Sequence, residues 1–160
     1  MSEIFLLPGE FYFGDQHKKI KTLLGSCVAI TMWNKRLKIG GMCHFKLPRR
    51  HVDSKTRLDG SYGDESMLLF MKSLSQYGLR PANMVVGVFG AGDMFLSLSE
   101  NNDKSIGKQN IRLAFQLLDK LGFGITHESL GGYVSRRIAL DIETGVVKVQ
   151  SLDIEQQKWL

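Results

Sequence analysis

Two side chains in the first third of the sequence have the chemistry of a nucleophile and of a base. Cys27 leads into an apolar and β-branched run over 28–33, and His44 lies in a second such run over 37–45. Runs of this composition and length are typical of mostly buried strands. The polar residues between them predict a hairpin, which would bring the ends of the two runs together.

The length of the hairpin loop decides whether the two side chains meet. With Lys35 and Arg36 as a two-residue loop, Cys27 lies directly opposite His44, and opposed residues have Cβ atoms roughly 4.5–5.5 Å apart. A three-residue loop would set Cys27 opposite Cys43 and turn His44 to the other face. The first register predicts an imidazole that lowers the pKa of the thiol. The alternative interpretation is a small buried cysteine and a structural strand histidine.

The residues just before Cys27 fit the turn that a nucleophile needs. Gly25 and Ser26 free the backbone for a sharp bend, whose N–H groups are candidates for binding an oxyanion. Thr22, five residues upstream of the cysteine, is a candidate to orient His44 as the third member of a triad.

Composition limits the possible classes of protein. A chain of 160 residues with 43% hydrophobic residues fits one domain with its own core. Two cysteines without paired spacing predict neither a disulfide framework nor a CxxC site, which fits a reducing cytoplasm. The net charge of +5 permits an acidic partner, but we find no nucleic-acid motif and no candidate membrane span. Cys43, His44 and His51 lack a fourth ligand at a standard spacing, so we expect no metal and no cofactor.

Hydrophobic periodicity predicts the remaining elements. Apolar residues recur at helical spacing between Asp64, a plausible N-cap, and Gly78, and again between Ile106 and Gly122. The polar stretch 49–63 is predicted to be a long loop beside the site, and 152–160 a frayed tail. Glycines at 90 and 92 are expected to let their loop pass close to other backbone. Short apolar runs predict strands at 4–7, 11–13, 84–89, 125–130, 134–143 and 146–149.

These elements predict an α+β domain over 1–160, with mixed β-sheet layers and two main amphipathic helices packed on one side. The blocks that carry the candidate chemistry resemble the CheD family of bacterial chemotaxis. They are T-L-L-G-S-C-V-A-I from Thr22, I-G-G-M-C-H-F-K-L-P from Ile39, V-F-G-A-G-D-M-F from Val88, I-G-K-Q-N from Ile106 and G-G-Y-V-S-R-R-I from Gly131. Their order and spacing extend the resemblance over nearly the whole chain.

The resemblance implies a three-layer sandwich and an enzyme that converts glutamine side chains of methyl-accepting chemoreceptors to glutamate. It implies a cysteine thioester intermediate with release of ammonia, which tunes chemotactic adaptation. Cys27, His44 and Thr22 are the implied triad, and Gly25 and Ser26 remain the candidate oxyanion donors. Two alternatives stay open: a glutamate methylesterase that uses the same thiolate, and a binding module that docks on the receptor or on a CheC-type chemotaxis phosphatase.

Overall fold

Two β-sheets and two α-helices make up the structure, a computed structural model that describes residues 2–15, 18–51, 57–94 and 105–153. The strands are β1 (Ser2–Leu6), β2 (Phe11–Gly14), β3 (Lys18–Leu24), β4 (Val28–Asn34), β5 (Ile39–Phe45), β6 (Val85–Gly90), β7 (Ile125–Leu130), β8 (Val134–Asp141) and β9 (Val147–Asp153). The helices are α1 (Gly63–Gln76) and α2 (Ile106–Leu121), with a short 3-10 turn at Pro81–Asn83.

The strands form a four-stranded sheet in the order β1-β3-β8-β9 and a five-stranded sheet in the order β2-β5-β4-β6-β7. Each sheet contains one parallel pair, β1 with β3 and β6 with β7, while the other neighbours are antiparallel. Both helices pack on the five-stranded sheet. The predicted α+β domain with mixed sheets and helices on one side is confirmed. Within the described residues, no helix is long and apolar enough to cross a membrane.

The core has two parts because the five-stranded sheet is buried on both faces. Residues such as Phe45, Phe70 and Leu118 fill the space between this sheet and the helices. Ile20 and Phe89 belong to the second cluster, between the two sheets. Successive side chains of a strand point to opposite faces, so β5 contributes to both clusters and all seven of its residues are buried.

One strand and two boundaries differ from the sequence-based expectation. The predicted strands left the stretch between residue 13 and Gly25 unassigned, whereas β3 spans Lys18–Leu24. The inward residues of β3 alternate with lysines. These charged residues made a half-buried strand hard to recognise from the sequence. Helix α1 has Tyr62 rather than Asp64 as its N-cap. Leu152 belongs to β9 instead of the expected tail, and residues 154–160 lie outside the described residues.

Candidate active site

The turn formed by residues 25–27 carries the chain from one sheet to the other. It follows β3 of the four-stranded sheet and leads into β4 of the five-stranded sheet. Cys27 therefore lies where the chain crosses between the layers. Thr22 faces inward from β3, and His44 faces the same inter-sheet space from β5. The candidate triad is thus assembled from both sheets.

The hairpin register differs from the predicted one. Asn34 pairs with Ile39, so the loop has four residues, and His44 lies opposite Ala29 rather than Cys27. The prediction of a directly opposed pair is therefore wrong by two positions. Because side chains alternate with a period of two, an even shift keeps His44 on the face that it would have in the predicted register. Cys27 and His44 consequently remain diagonal neighbours beside the same inter-sheet space.

Thr22 and His44 form a buried hydrogen-bonded pair. The Thr22 hydroxyl donates to the carbonyl oxygen of Leu6 at 2.8 Å, and its Oγ1 lies 2.6 Å from His44 Nδ1. A carbonyl oxygen only accepts, and a hydroxyl has a single proton. With that proton on Leu6, Thr22 Oγ1 accepts from the imidazole. This network assigns the imidazole proton to Nδ1 and leaves the lone pair on Nε2.

His44 Nε2 is the free end of this network. The side chain is 1% exposed, and Nε2 has no hydrogen-bond partner among the described residues. Cys27 is half-buried and packs against the inter-sheet cluster, but its thiol is not hydrogen-bonded to Nε2 in this conformation. Catalytic hydrogen bonds of free enzymes are often long and tighten when substrate binds. The Thr22 contact therefore orients His44 as a candidate base, and Cys27 is the candidate nucleophile on the same face of the five-stranded sheet.

Burial sets the protonation states of this pair. It raises the pKa of the Cys27 thiol, and the positive charge of Lys46 lowers that pKa in part. Burial first, and then Lys46, lowers the pKa of His44 from 6.5 to about 4. The expected lowering of the thiol pKa by the histidine is therefore wrong for this state. Near neutral pH the site holds a thiol and a neutral imidazole, so the base must take the proton as the sulfur attacks.

The second cysteine is more deeply buried than Cys27 and lies on the other face of the five-stranded sheet. Cys43 is fully buried on the helix side of β5, and burial raises the pKa of its thiol to about 12. A buried thiol with a high pKa is chemically inert. Its neighbour in sequence, His44, points to the opposite face of the strand. Across the described residues, no three His, Cys, Asp or Glu side chains are grouped closely enough to hold a metal.

The loop after β6 supports the nucleophile turn. Ala91 N donates to the carbonyl of Cys27 at 2.8 Å, and Gly92 N donates to the carbonyl of Gly25 at 2.9 Å. Gly90 has a φ of +113°, and a Cβ there would overlap the carbonyl oxygen of Cys27. The expected close approach of this loop to other backbone is confirmed. The loop fixes the carbonyl groups of the turn, and Ser26 lies between them.

Arg136 binds the same loop through hydrogen bonds of its side chain. Its guanidinium donates to Ser129 Oγ at 2.9 Å and to the carbonyl oxygens of Gly90 and Gly131 at 3.1 and 2.7 Å. Burial lowers the pKa of this side chain. The inward arginine of β8 thus binds carbonyl and hydroxyl oxygens, while Arg137 is exposed. Arg136 thereby connects β8 to the support of the nucleophile turn.

Replacing Gly90 by alanine is expected to destabilise the fold by at least about 2 kcal/mol, since a residue with a side chain is strained at this φ and its Cβ would displace the Cys27 carbonyl. Urea unfolding measures the change. Gly124→Ala is the matched control, because a Cβ at Gly124 meets no atom within 4 Å. Equal stability of the two variants would contradict this account of the loop.

The predicted loop over 49–63 is anchored beside the site at both of its described ends. The amides of Lys46 and Leu47 donate to the carbonyl of Ser61 at 2.8 and 3.1 Å. Arg50 binds Glu65 of α1 through two hydrogen bonds, at 2.6 and 2.9 Å. The described parts of the loop are therefore held against the end of β5 and the start of α1, and 52–56 lie outside the described residues.

Three contributors to the site escaped the sequence reasoning. The Leu6 carbonyl is a main-chain group, and no side-chain pattern signals it. Lys46 follows the His-Phe pair directly, so its nearness to the site was available from sequence, but the predicted register gave it no partner. Arg136 was recognised as a strand arginine, while its carbonyl partners depend on distant loops that the sequence alone does not bring together.

Comparison with known proteins finds similarity to a single family. A family model described as CheD chemotactic sensory transduction matches residues 46–151. A Chromobacterium violaceum protein named as a probable chemoreceptor glutamine deamidase is 36% identical over 156 residues, covering 96% of this chain and 81% of that protein. A Dechloromonas aromatica protein with the same designation is 39% identical over 147 residues, covering 92% and 86%. A third, from Methanococcus maripaludis, is 34% identical over 142 residues, covering 89% and 90%.

Proposed function

Because this chain belongs to the CheD family, we propose that it deamidates glutamine side chains on the cytoplasmic part of methyl-accepting chemoreceptors. Water is the second substrate, and the products are glutamate and ammonia. The observation that carries the proposal is the buried Thr22–His44 hydrogen bond, which presents an unpaired Nε2 beside the turn of Cys27. The reaction adjusts receptor side chains during chemotactic adaptation.

The acylation half of the reaction needs one nucleophile and one base. Cys27 Sγ attacks the carboxamide carbon while its proton moves to His44 Nε2, giving a tetrahedral intermediate. As the C–N bond breaks, Nε2–H returns the proton to the leaving nitrogen, and ammonia departs. A thioester between Cys27 and the former glutamine side chain remains. Dividing the hydrolysis in this way avoids direct attack of water on an unreactive amide.

The deacylation half reuses the same imidazole. His44 Nε2 takes a proton from water, whose oxygen attacks the thioester carbon, and the C–S bond breaks. The proton returns to the sulfur, and a glutamate side chain leaves. During both halves, Thr22 keeps Nδ1 protonated and thereby holds Nε2 in its basic form. The backbone N–H groups of the Gly25–Ser26 turn are the proposed donors to the oxyanion of each tetrahedral intermediate.

The acid limb of the pH profile should lie unusually low. The reaction requires a neutral imidazole, and the pKa of His44 is lowered to about 4. We therefore expect kcat/KM on a receptor fragment to be nearly constant between about pH 5.5 and 8 and to fall only as pH approaches 4. Circular dichroism at each pH checks that the protein stays folded. An acid limb near 6.5, the ordinary imidazole value, would contradict the buried neutral base.

Removing the Thr22 hydroxyl should slow the reaction without unfolding the protein. Thr22→Val keeps the shape of the side chain but loses the acceptor for Nδ1–H. A hydrogen bond to a charged group is worth roughly 1.5–3 kcal/mol, so kcat should fall about 10- to 100-fold when the imidazolium forms unsupported. Thr22→Ser, which keeps a hydroxyl, should recover most of the rate. Steady-state kinetics decide the point, and equal losses in both variants would rule out the hydroxyl as the cause.

The direct experiment is to incubate purified protein with a chemoreceptor cytoplasmic fragment and to measure ammonia together with the mass of each glutamine-containing peptide. Conversion adds about one dalton for each glutamine changed to glutamate. Stoichiometric ammonia and mass change would support deamidation. Binding of the fragment with no change at any glutamine would overturn it for that receptor and favour a binding module.

The same thiolate chemistry extends to a glutamate methyl ester, because the acyl portion is identical and methanol leaves more readily than ammonia. Parallel assays on a methylated and an amidated fragment separate the two activities. A partner such as a CheC-type chemotaxis phosphatase belongs to the same proposal, since a protein that occupies this cleft would compete with the receptor. Competition kinetics with the purified phosphatase test this directly.

A further inference from the structure

Lys46 is the residue that follows the last pair of the β4–β5 ladder. Val28 pairs with Phe45 as the last pair of that ladder. Cys27 directly precedes Val28, and Lys46 directly follows Phe45. Lys46 and Cys27 are therefore the two residues just beyond the same end of the ladder, although they are distant in sequence.

The backbone of Lys46 is held from two directions. Its N–H donates to the carbonyl of Ser61 at 2.8 Å, and its carbonyl accepts from Asn110 Nδ2 at 2.9 Å. Asn110 is completely buried near the start of α2. The side chain of Lys46, by contrast, is exposed. A rigid main chain thus presents a solvated ammonium group at the entrance of the site.

The charges around Cys27 make Lys46 distinctive. His44 is neutral, and Arg136 directs its guanidinium at the carbonyl oxygens of Gly90 and Gly131. Asp93 lies in the loop that supports the turn. Among the described residues, Lys46 is the charge that acts on both members of the pair, because it lowers the pKa of the thiol and that of the imidazole.

We propose that Lys46 activates the nucleophile electrostatically: its ammonium group stabilises the negative charge that Cys27 gains as the thiol proton leaves. The same charge disfavours the imidazolium form of His44, so the benefit of Lys46 is confined to the sulfur and the oxyanion. In the tetrahedral intermediate, it would likewise favour the oxyanion. Lys46 acts through the charge of the site rather than by proton transfer. The proposal rests on the proposed function only in taking Cys27 as the nucleophile.

Alkylation of Cys27 by iodoacetamide tests this without any receptor. The reagent is uncharged, so a change at Lys46 does not alter its attraction to the site. Peptide mass spectrometry follows Cys27 separately from the buried Cys43. The rate is measured against pH in wild type, Lys46→Met, Lys46→Arg and Lys72→Met. The last variant removes an exposed lysine from α1 as a control for net charge.

At low salt and pH 7.5, Lys46→Met should react about three- to tenfold more slowly than wild type, with its rate profile displaced to higher pH by up to about one unit. Lys46→Arg and Lys72→Met should resemble wild type. The deficit should shrink at 1 M salt, where charges are screened beyond about 3 Å. An unchanged profile in Lys46→Met would overturn the proposal, as would a deficit that persists in Lys46→Arg and at high salt.

The deamidase activity and the role of Lys46 are decided by separate results. If wild type leaves receptor glutamines unchanged but Lys46→Met shows the displaced profile, the deamidase proposal fails and the role of Lys46 stands. If wild type deamidates the receptor and the alkylation profiles of wild type and Lys46→Met coincide, the deamidase proposal stands and the role of Lys46 fails. When both stand, Lys46→Met should lower kcat on the receptor fragment by a factor similar to its alkylation deficit.

Discussion

The Cys27→Ala protein is expected to fold normally and to release no ammonia from a chemoreceptor fragment. The thiol is half-buried, so its removal leaves at most a small cavity. Without a nucleophile the reaction loses its covalent route, and the remaining turn and base act only on direct attack by water. Loss of a nucleophile typically costs about 10⁴-fold or more in kcat. Ammonia release and peptide mass give the rate, and circular dichroism gives the fold.

The second cysteine provides the matched control for this result. Cys43→Ala removes a thiol from the core between sheet and helices, so it should cost about 1 kcal/mol in unfolding free energy and leave kcat nearly unchanged. Binding of the receptor fragment by Cys27→Ala distinguishes loss of chemistry from loss of recognition. Full glutamine conversion by Cys27→Ala would mean that the thiol is dispensable and the proposed mechanism is wrong.

Replacing His44 by glutamine should cost about 10² to 10⁴-fold in kcat, the usual contribution of general acid–base catalysis. The imidazole both accepts the thiol proton and returns it to ammonia, so one substitution removes both transfers. Glutamine has a similar length and can still donate a hydrogen bond to Thr22, which keeps the buried network filled. His127→Gln, at an exposed position of β7, is the control and should retain full activity. Activity of His44→Gln within threefold of wild type would exclude His44 as the base.

The same substitution has an independent readout in acid. The pKa of His44 is about 4 in the fold and near 6.5 in its absence, so the unfolded state binds more protons between these values. Wild type should therefore lose stability as pH falls from 6.5 through 4, by about 3 kcal/mol at about 1.4 kcal/mol per pKa unit. Glutamine does not titrate, and His44→Gln should lose correspondingly less. Urea unfolding at pH 7 and pH 4.5 compares the two proteins.

The elements that the sequence predicted best are those with strong periodicity. Helices α1 and α2 have apolar residues at helical spacing, and strand β4 is an unbroken apolar and β-branched run. Each of these patterns fits one type of element. Strand β3 was missed because lysines occupy its outward positions, and a strand with one solvated face tolerates them. The strand that pairs with β3 at Ile20 and Leu24 is β8, more than a hundred residues later. No local pattern contains that pairing.

The site shows a similar division. The identities of Cys27, His44 and Thr22 follow from local residues and from the CheD resemblance. Their spatial relation depended on one loop length: a loop of two residues sets His44 opposite Cys27, whereas the observed loop of four sets it opposite Ala29. Because the register error is an even number of residues, His44 still faces the space between the sheets, and the proposed function is unaffected. The protonation states of Cys27 and His44 could not be predicted from the sequence, because they depend on how deeply the two sheets bury these side chains.

The short first strand has a consequence for inactivation by heat. Among the described residues, β1 is an edge strand that pairs only with β3, and the carbonyl of Leu6 at its end accepts the hydrogen bond of the Thr22 hydroxyl. An edge strand with a single partner opens locally at a lower free energy than the whole fold. When this strand detaches, the threonine hydroxyl is released to donate to Nδ1, which moves the imidazole proton to Nε2 and extinguishes the base. Catalysis would therefore cease on warming when β1 detaches, before the other strands and the helices unfold.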